Sequence, residues 1–213
     1  VGLRRPGGQA LRSDPIGGTV DINGTFDANP IPEPDPCDAP EAALRLRMRR
    51  EEQPLPRFPQ LPDTVELRTY QHSDGPGLRA LLETGTFGAW SAERLDALFV
   101  HAIDRLDENA VHLALHGGVP IGHCCLMVRD EPEGTVGKLG WVVVHPDWRG
   151  KQIGRAVCVA ALHDAHRRGL GTVILNTEDF RLAAVRLYLD LGFAPVLGDG
   201  SEQDAWWRSL RVG

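Results

Sequence analysis

The chain has 213 residues, enough for one ordinary domain and an appendage. It is 42% hydrophobic and 24% charged, with a formal net charge of −6. That is the balance of a soluble globular protein, and it argues against non-specific nucleic-acid binding, which needs a basic face.

Residues 1–60 read as a Pro/Gly-rich extended or disordered arm, because "NPIPEPDPCDAP" and "QPLPRFPQLPD" place proline every two or three residues. The local structure expected within it is a short helix over Glu41–Glu52, either a solvated charged turn or a partner-binding helix. No run approaches the roughly 18 apolar residues of a membrane span. The N-terminal arginines lack the apolar stretch of a secretory signal. The chain opens on Val1, which leaves both a fragment and a GTG start open.

From 61 to 213 the periodicity is that of a folded domain. "TVELRTY" alternates like a strand, and "SDGPGLRALLETG" reads as a helix closed by glycine. "SAERLDALFVHAIDRL" has apolar residues at helical spacing. "AVHLALHGGVPIGHCCLMVRD" is a hairpin about Gly117-Gly118, and "GTVGKLGWVVVHP" is a third strand. "GKQIGRAVCVAALHDAHRRGLG" is a helix, "TVILNTED" a strand, and "FRLAAVRLYLDLGF" a helix. "APVLG" and "AWWRSLRV" are read as two final strands. The order β-α-α-β-β-β-α-β-α-β-β predicts a mixed α/β sheet, in which an antiparallel meander precedes a parallel strand–helix–strand crossover. The cysteines Cys37, Cys124, Cys125 and Cys158 form no C-x-x-C pair, so buried thiols in a reducing cytosol are expected.

The chemistry gathers in "HPDWRGKQIGRA", residues 145–156, at the strand-to-helix junction of that crossover. Free N–H groups and the dipole of a helix N-terminus make an anion site. Gly150 and Gly154 permit close approach of backbone to ligand, and Arg149, Lys151 and Arg155 add positive charge. A pyrophosphate is the natural guest. Neither the G-x-x-x-x-G-K-S/T loop nor G-x-G-x-x-G is present.

This stretch resembles motif A of the GNAT acetyltransferases, V-x-P-x-x-R/Q-x-x-G-x-G/A, carried by Val144, Pro146, Arg149, Gln152 in the first glycine's place, and Gly154. "AAVRLYLDLGF", residues 183–193, resembles the family's A-x-x-L-Y-x-x-L-G-F segment. The separation of the two motifs and the order of elements from Thr64 onward also match. Within the family the chain is similar to bacterial members, some of them mycothiol synthases built from two such domains.

The resemblance implies a GNAT fold and acetyl-CoA as co-substrate, bound at a splay between two parallel strands, with no metal. Val142, Val143 and Val144 would offer backbone groups to the pantetheine arm and thioester. Arg149, Gly150, Lys151, Gln152, Ile153, Gly154 and Arg155 would hold the pyrophosphate. Tyr188 would protonate the departing thiolate, as a neutral phenol is able to do. Attack by the amine is direct, so no nucleophilic side chain is required.

The strand before motif A carries no glutamate, which leaves Glu178 or a water chain as the route for the amine proton. Gln152 is expected in the first helical turn with negative φ. Arg181 replaces a common asparagine and is read either as a cofactor contact or as a surface residue. Phe87 and Trp90 are candidate walls of an acceptor pocket or core aromatics. Asp199, Glu202 and Asp204 weakly favour a cationic acceptor. His163 and His166 have spacing open to a metal but no third ligand nearby, so a solvated helix face is preferred.

The reading is a cytoplasmic N-acetyltransferase acting on a small-molecule amine, without nucleic-acid or membrane partners. A homodimer stays open. The rival readings are a non-catalytic acyl-CoA-binding module and a protein N-terminal acetyltransferase.

Overall fold

Gly117 and Gly118 both take positive φ, 56° and 79°, the turn geometry that matches the twist of a tight hairpin. They join β3 (Val111–His116) to β4 (Val119–Glu131) in a computed structural model that describes residues 43–85, 89–95, 110–132, 134–198 and 202–210. The other strands are β1 (Arg45–Arg50), β2 (Val65–Thr69), β5 (Gly134–Val144), β6 (Val173–Glu178) and β7 (Ala194–Pro195). They form one seven-stranded sheet in the order β2-β3-β4-β5-β6-β1-β7.

The meander β2-β3-β4-β5 is antiparallel throughout, and β5 and β6 are parallel. The helix between them is α2 (Ile153–Arg167), which lies across β3, β4 and β5. α1 (Gly75–Glu83) lies across β4 and β5. Its entry is fixed by Asp74, a buried carboxylate that takes two bonds from the Arg68 guanidinium, at 2.6 and 2.8 Å. α3 (Leu182–Asp190) follows β6 and stops at Gly192, whose φ is 87°. The core is one cluster in which Leu46, Met48, Leu113, Leu126, Leu162 and Leu175 are fully or nearly fully buried. No helix of the described residues is long and apolar enough to cross a membrane.

Two expectations are corrected. Residues 45–50 do not belong to an arm, and no helix forms there; they are β1, antiparallel to β6 on one side and β7 on the other. The reason is a period of two: Leu46, Met48 and Arg50 are buried, and the alternating Arg45 and Arg47 are exposed. Buried Arg50 donates from Nε to the Leu191 carbonyl at 2.9 Å and from Nη2 to the Pro54 carbonyl at 2.9 Å, tying the end of β1 to the end of α3. Residues 51–64 then run without regular structure over α2. There the Pro56 carbonyl lies 3.1 Å from His163 Nε2 and Phe58 stacks on the same ring, so His163 has a packing role. Residues 1–42 lie outside the described residues.

The second correction concerns the C-terminal end. "AWWRSLRV" is not a strand; α4 spans Glu202–Leu210 and buries Asp204 and Trp207. β1 occupies the sheet position beside β6, and the chain leaves the sheet after the two residues of β7. Most of the expected helix "SAERLDALFVHAIDRL" falls outside the described residues, which show helix at 92–95.

Candidate functional site

β5 and β6 pair only from Gly137↔Val173 to Leu139↔Leu175. Beyond that the strands part, and each keeps only its partner on the far edge, β6 with β1 and β5 with β4. A cavity of about 650 Å³ opens on the parted half of β5, between the N-terminal ends of α2 and α3. Val142, Val143, Val144, Arg149, Gly150, Gln152, Ile153, Gly154 and Arg155 all line it. Lys151 does not. Its ammonium sits 4.5 Å above the Trp148 ring, whose other neighbour is His116 at 4.7 Å.

The loop turns through two left-handed residues at the edge of the cavity. Gly150 has φ 74° and Gln152 has φ 63°, ψ 7°. Gln152 is therefore the left-handed N-cap of α2, which corrects the expected first-turn position with negative φ. This is the conformation that glycine adopts without cost, which explains the glycine in the family pattern. The Gln152 carbonyl accepts the first helical bond, from Ala156 N at 2.9 Å, so the N–H groups of the first turn have no partner one turn back. A Cβ on Gly154 would stand 3.3 Å from Val144 Cγ2 and 3.6 Å from Leu187 Cδ2, both cavity walls. Glycine here lets α2, β5 and α3 converge.

The parted half of β5 begins with a bulge. Cys125 pairs with Gly140 and His123 with Val143, so Trp141 and Val142 together stand against Cys124 alone. Trp141 has φ 53°. Among the described residues, it and Gln152 are the non-glycine positions with positive φ; Gln152 lines the cavity and Trp141 precedes its first β5 wall, Val142. The Trp90 ring meets Trp141 edge-on at 5.1 Å and carries the Arg94 guanidinium at 4.3 Å. Trp90 is 3% exposed and does not line the cavity, so it packs at the bulge. Phe87 and Asp199 lie outside the described residues.

Tyr188 and Glu178 do not line the cavity either, yet they lie close to it and to each other. Tyr188 is buried, with its ring edge-on to Phe193 at 6.0 Å. Burial pushes its phenol well above the usual range. Cys158, Cys124 and Glu178 push the same way, and Arg181 opposes them. The Glu178 carboxylate pairs with Arg181 at 2.6 Å, and Arg181 lines the cavity. Burial also raises Cys124 well above the thiol range and Cys125 to about 12, which keeps both protonated and unreactive. Buried Asp204 accepts from Gly198 N at 3.2 Å, so it braces α4 instead of facing an acceptor.

Sequence reasoning missed the walls supplied by Thr84, Trp148, Phe180, Leu182, Ala184 and Leu187. The small residues Ala183 and Ala184 in the first turn of α3 were a readable signal, since a second helix N-terminus converges on the site. The others are brought in by tertiary packing.

A family model described as acetyltransferase (GNAT) family matches residues 76–193. A mycothiol acetyltransferase of Thermobispora bispora is 35% identical over 161 residues, 69% of this chain and 52% of that protein. One from Nocardia farcinica is 30% identical over 164 residues, 72% of this chain and 54% of that protein. The chain thus spans about half the length of these curated relatives. Among solved structures, a GCN5-related N-acetyltransferase from Sphaerobacter thermophilus superposes with a TM-score of 0.59 at 24% identity, covering 71% of this chain and 48% of that one.

Proposed function

The chain belongs to the acetyltransferase (GNAT) family, and from that premise we propose that it moves an acetyl group from acetyl-CoA to an amine of a small molecule by direct attack. The observation that carries this reading is the cavity in the β5–β6 splay, with the α2 N-terminus and its left-handed loop at one end and the bulged half of β5 along its side.

These residues suit the co-substrate. The first-turn N–H groups of α2, with Arg149 and Arg155, would hold a pyrophosphate. The backbone of Val142–Val144 would lie along the pantetheine arm and polarise the thioester carbonyl by N–H donation. Bound there, acetyl-CoA supplies the activated acyl group. The protein's own work is positioning, removal of the amine proton and protonation of the thiolate.

Tyr188 is the proposed proton donor, a phenol protonated at neutral pH that follows the cavity-lining Leu187 in α3. Glu178, or a water chain passing the Glu178–Arg181 pair, is the proposed route for the amine proton. The relatives' name makes mycothiol-type compounds the first acceptors to try. The enzyme is expected to work in the cytoplasm, without nucleic acid, membrane or metal.

An amine-panel assay that reads thiol release tests this. Turnover of a small amine, abolished or strongly reduced in Tyr188→Phe, is expected. Binding of acetyl-CoA without turnover of any amine, with Tyr188→Phe harmless, would instead identify a regulatory acyl-CoA-binding module. Turnover of peptides alone would identify a protein N-terminal acetyltransferase.

A further inference from the structure

His123 lies on β4 and is wholly buried. Its Nδ1 is 2.6 Å from the Trp141 carbonyl. A carbonyl only accepts, so Nδ1 carries the proton and donates it. The ring is neutral because burial, aided by nearby His112, pushes its pKa down to about 4 against the opposing Trp141 bond, and that bond sets the tautomer. Nε2 is buried and has no hydrogen-bond partner. The whole polar content of the side chain is therefore committed to one backbone atom.

That atom belongs to the bulge. Trp141 is one of two residues set against Cys124, it has left-handed φ, and a bulged residue falls outside the regular ladder. A left-handed non-glycine residue persists only where its surroundings hold it. Here the Trp90 ring holds the Trp141 side chain and His123 holds its carbonyl. The peptide that includes this carbonyl also carries the Val142 N–H, so fixing the oxygen fixes the direction of that N–H.

We infer that His123 is a positioning residue for acetyl transfer: through its Nδ1–H bond to Trp141 it locks the β5 bulge and aims the Val142–Val144 backbone at the thioester. The inference rests on the reading that this strand receives the thioester, and it adds a residue that the family motifs do not contain. His123 touches neither co-substrate nor acceptor. Its effect is on carbonyl polarisation and leaves the pyrophosphate grip alone.

The test uses acetyl-CoA labelled with carbon-13 at the carbonyl, bound to the full chain, with the carbonyl resonance read by NMR and affinity read by calorimetry. Wild type is expected to shift the carbonyl downfield of free acetyl-CoA. His123→Asn places an N–H donor where Nδ1 stands and should keep most of that shift. His123→Gln places its donor near Nε2, and His123→Leu has none; both should lose the shift while affinity for CoA itself changes less than about threefold, because the pyrophosphate cradle is untouched. Thermal melts confirm that each variant is folded, and if His123→Leu does not fold, the Asn–Gln pair alone decides. A wild-type shift that survives in His123→Gln, or is lost equally in Asn and Gln, overturns the role of His123. Binding without any carbonyl shift in wild type overturns the reading of the strand itself.

Discussion

The two halves of β5 differ in composition and in neighbours: GTVGKLG lies inside the sheet, and WVVV stands beside the cavity. Gly134–Gly140 pairs with β4 on one side and, over Gly137–Leu139, with β6 on the other. Trp141–Val144 loses β6, carries the bulge at Trp141 and Val142, and rejoins β4 at Val143 and Val144; Val142–Val144 line the cavity. The segment reads as one strand, yet only Gly137–Leu139 is paired on both sides. The other half has given up its β6 ladder and borders the cavity instead. Stability should therefore answer to the first half and acetyl-CoA to the second.

The sharpest way to break that division is at the β6 residue that faces the paired half. Leu175 sits opposite both Leu139 and Met48 and is 2% exposed. Leu175→Ala should cost about 2–5 kcal/mol in denaturant unfolding. Acetyl-CoA affinity of the folded fraction should stay near that of wild type. A large affinity loss at full folding would erase the distinction between the halves.

Acid addresses the boundary between them. The His123 pKa is depressed from 6.5 to about 4 in the fold. Its contribution is fully present above the unfolded value, is lost as pH falls from about 6.5 toward 4, and is gone below that. The loss is on the order of 3 kcal/mol. A pH series of unfolding midpoints should show it in wild type, and His123→Asn should flatten that part of the curve.

On the cavity side, Gly154→Leu fills the gap between Val144 and Leu187. Overpacking of this kind typically costs 1–3 kcal/mol, and here it also narrows the cavity, so acetyl-CoA should bind about tenfold more weakly by calorimetry. Gln152→Gly has the smallest expected effect. Relief of a left-handed glutamine is partly offset by a freer unfolded chain, leaving a gain of about 0.5 kcal/mol in a thermal melt. Affinity should remain within about twofold of wild type, since the backbone cradle is unchanged.

Much of this architecture was legible. The Gly117-Gly118 hairpin, the crossover through α2 and the cationic loop could each be read from local patterns, because each is set by neighbours in sequence. The misreadings have identifiable causes. "LRLRMRR" alternates with a period of two, but the surrounding prolines and charges disguised a strand whose partners, β6 and β7, lie far along the chain. Once β1 fills that slot, the tail is free to be α4, an outcome that local propensity alone does not reveal. Gln152 was read by what glutamine prefers, and the loop instead imposes the conformation that glycine prefers. His123 gave no signal at all, since its importance depends on a bulge in another strand.

The central claim is that, along β5, ligand recognition falls to Val142–Val144, which have parted from β6, and to the loop that follows. Amide hydrogen exchange with and without saturating acetyl-CoA tests it most directly. The account predicts added protection at Val142–Val144 and Arg149–Arg155, with Gly134–Leu139 unchanged. Protection concentrated in the paired half, or none at either, would contradict it.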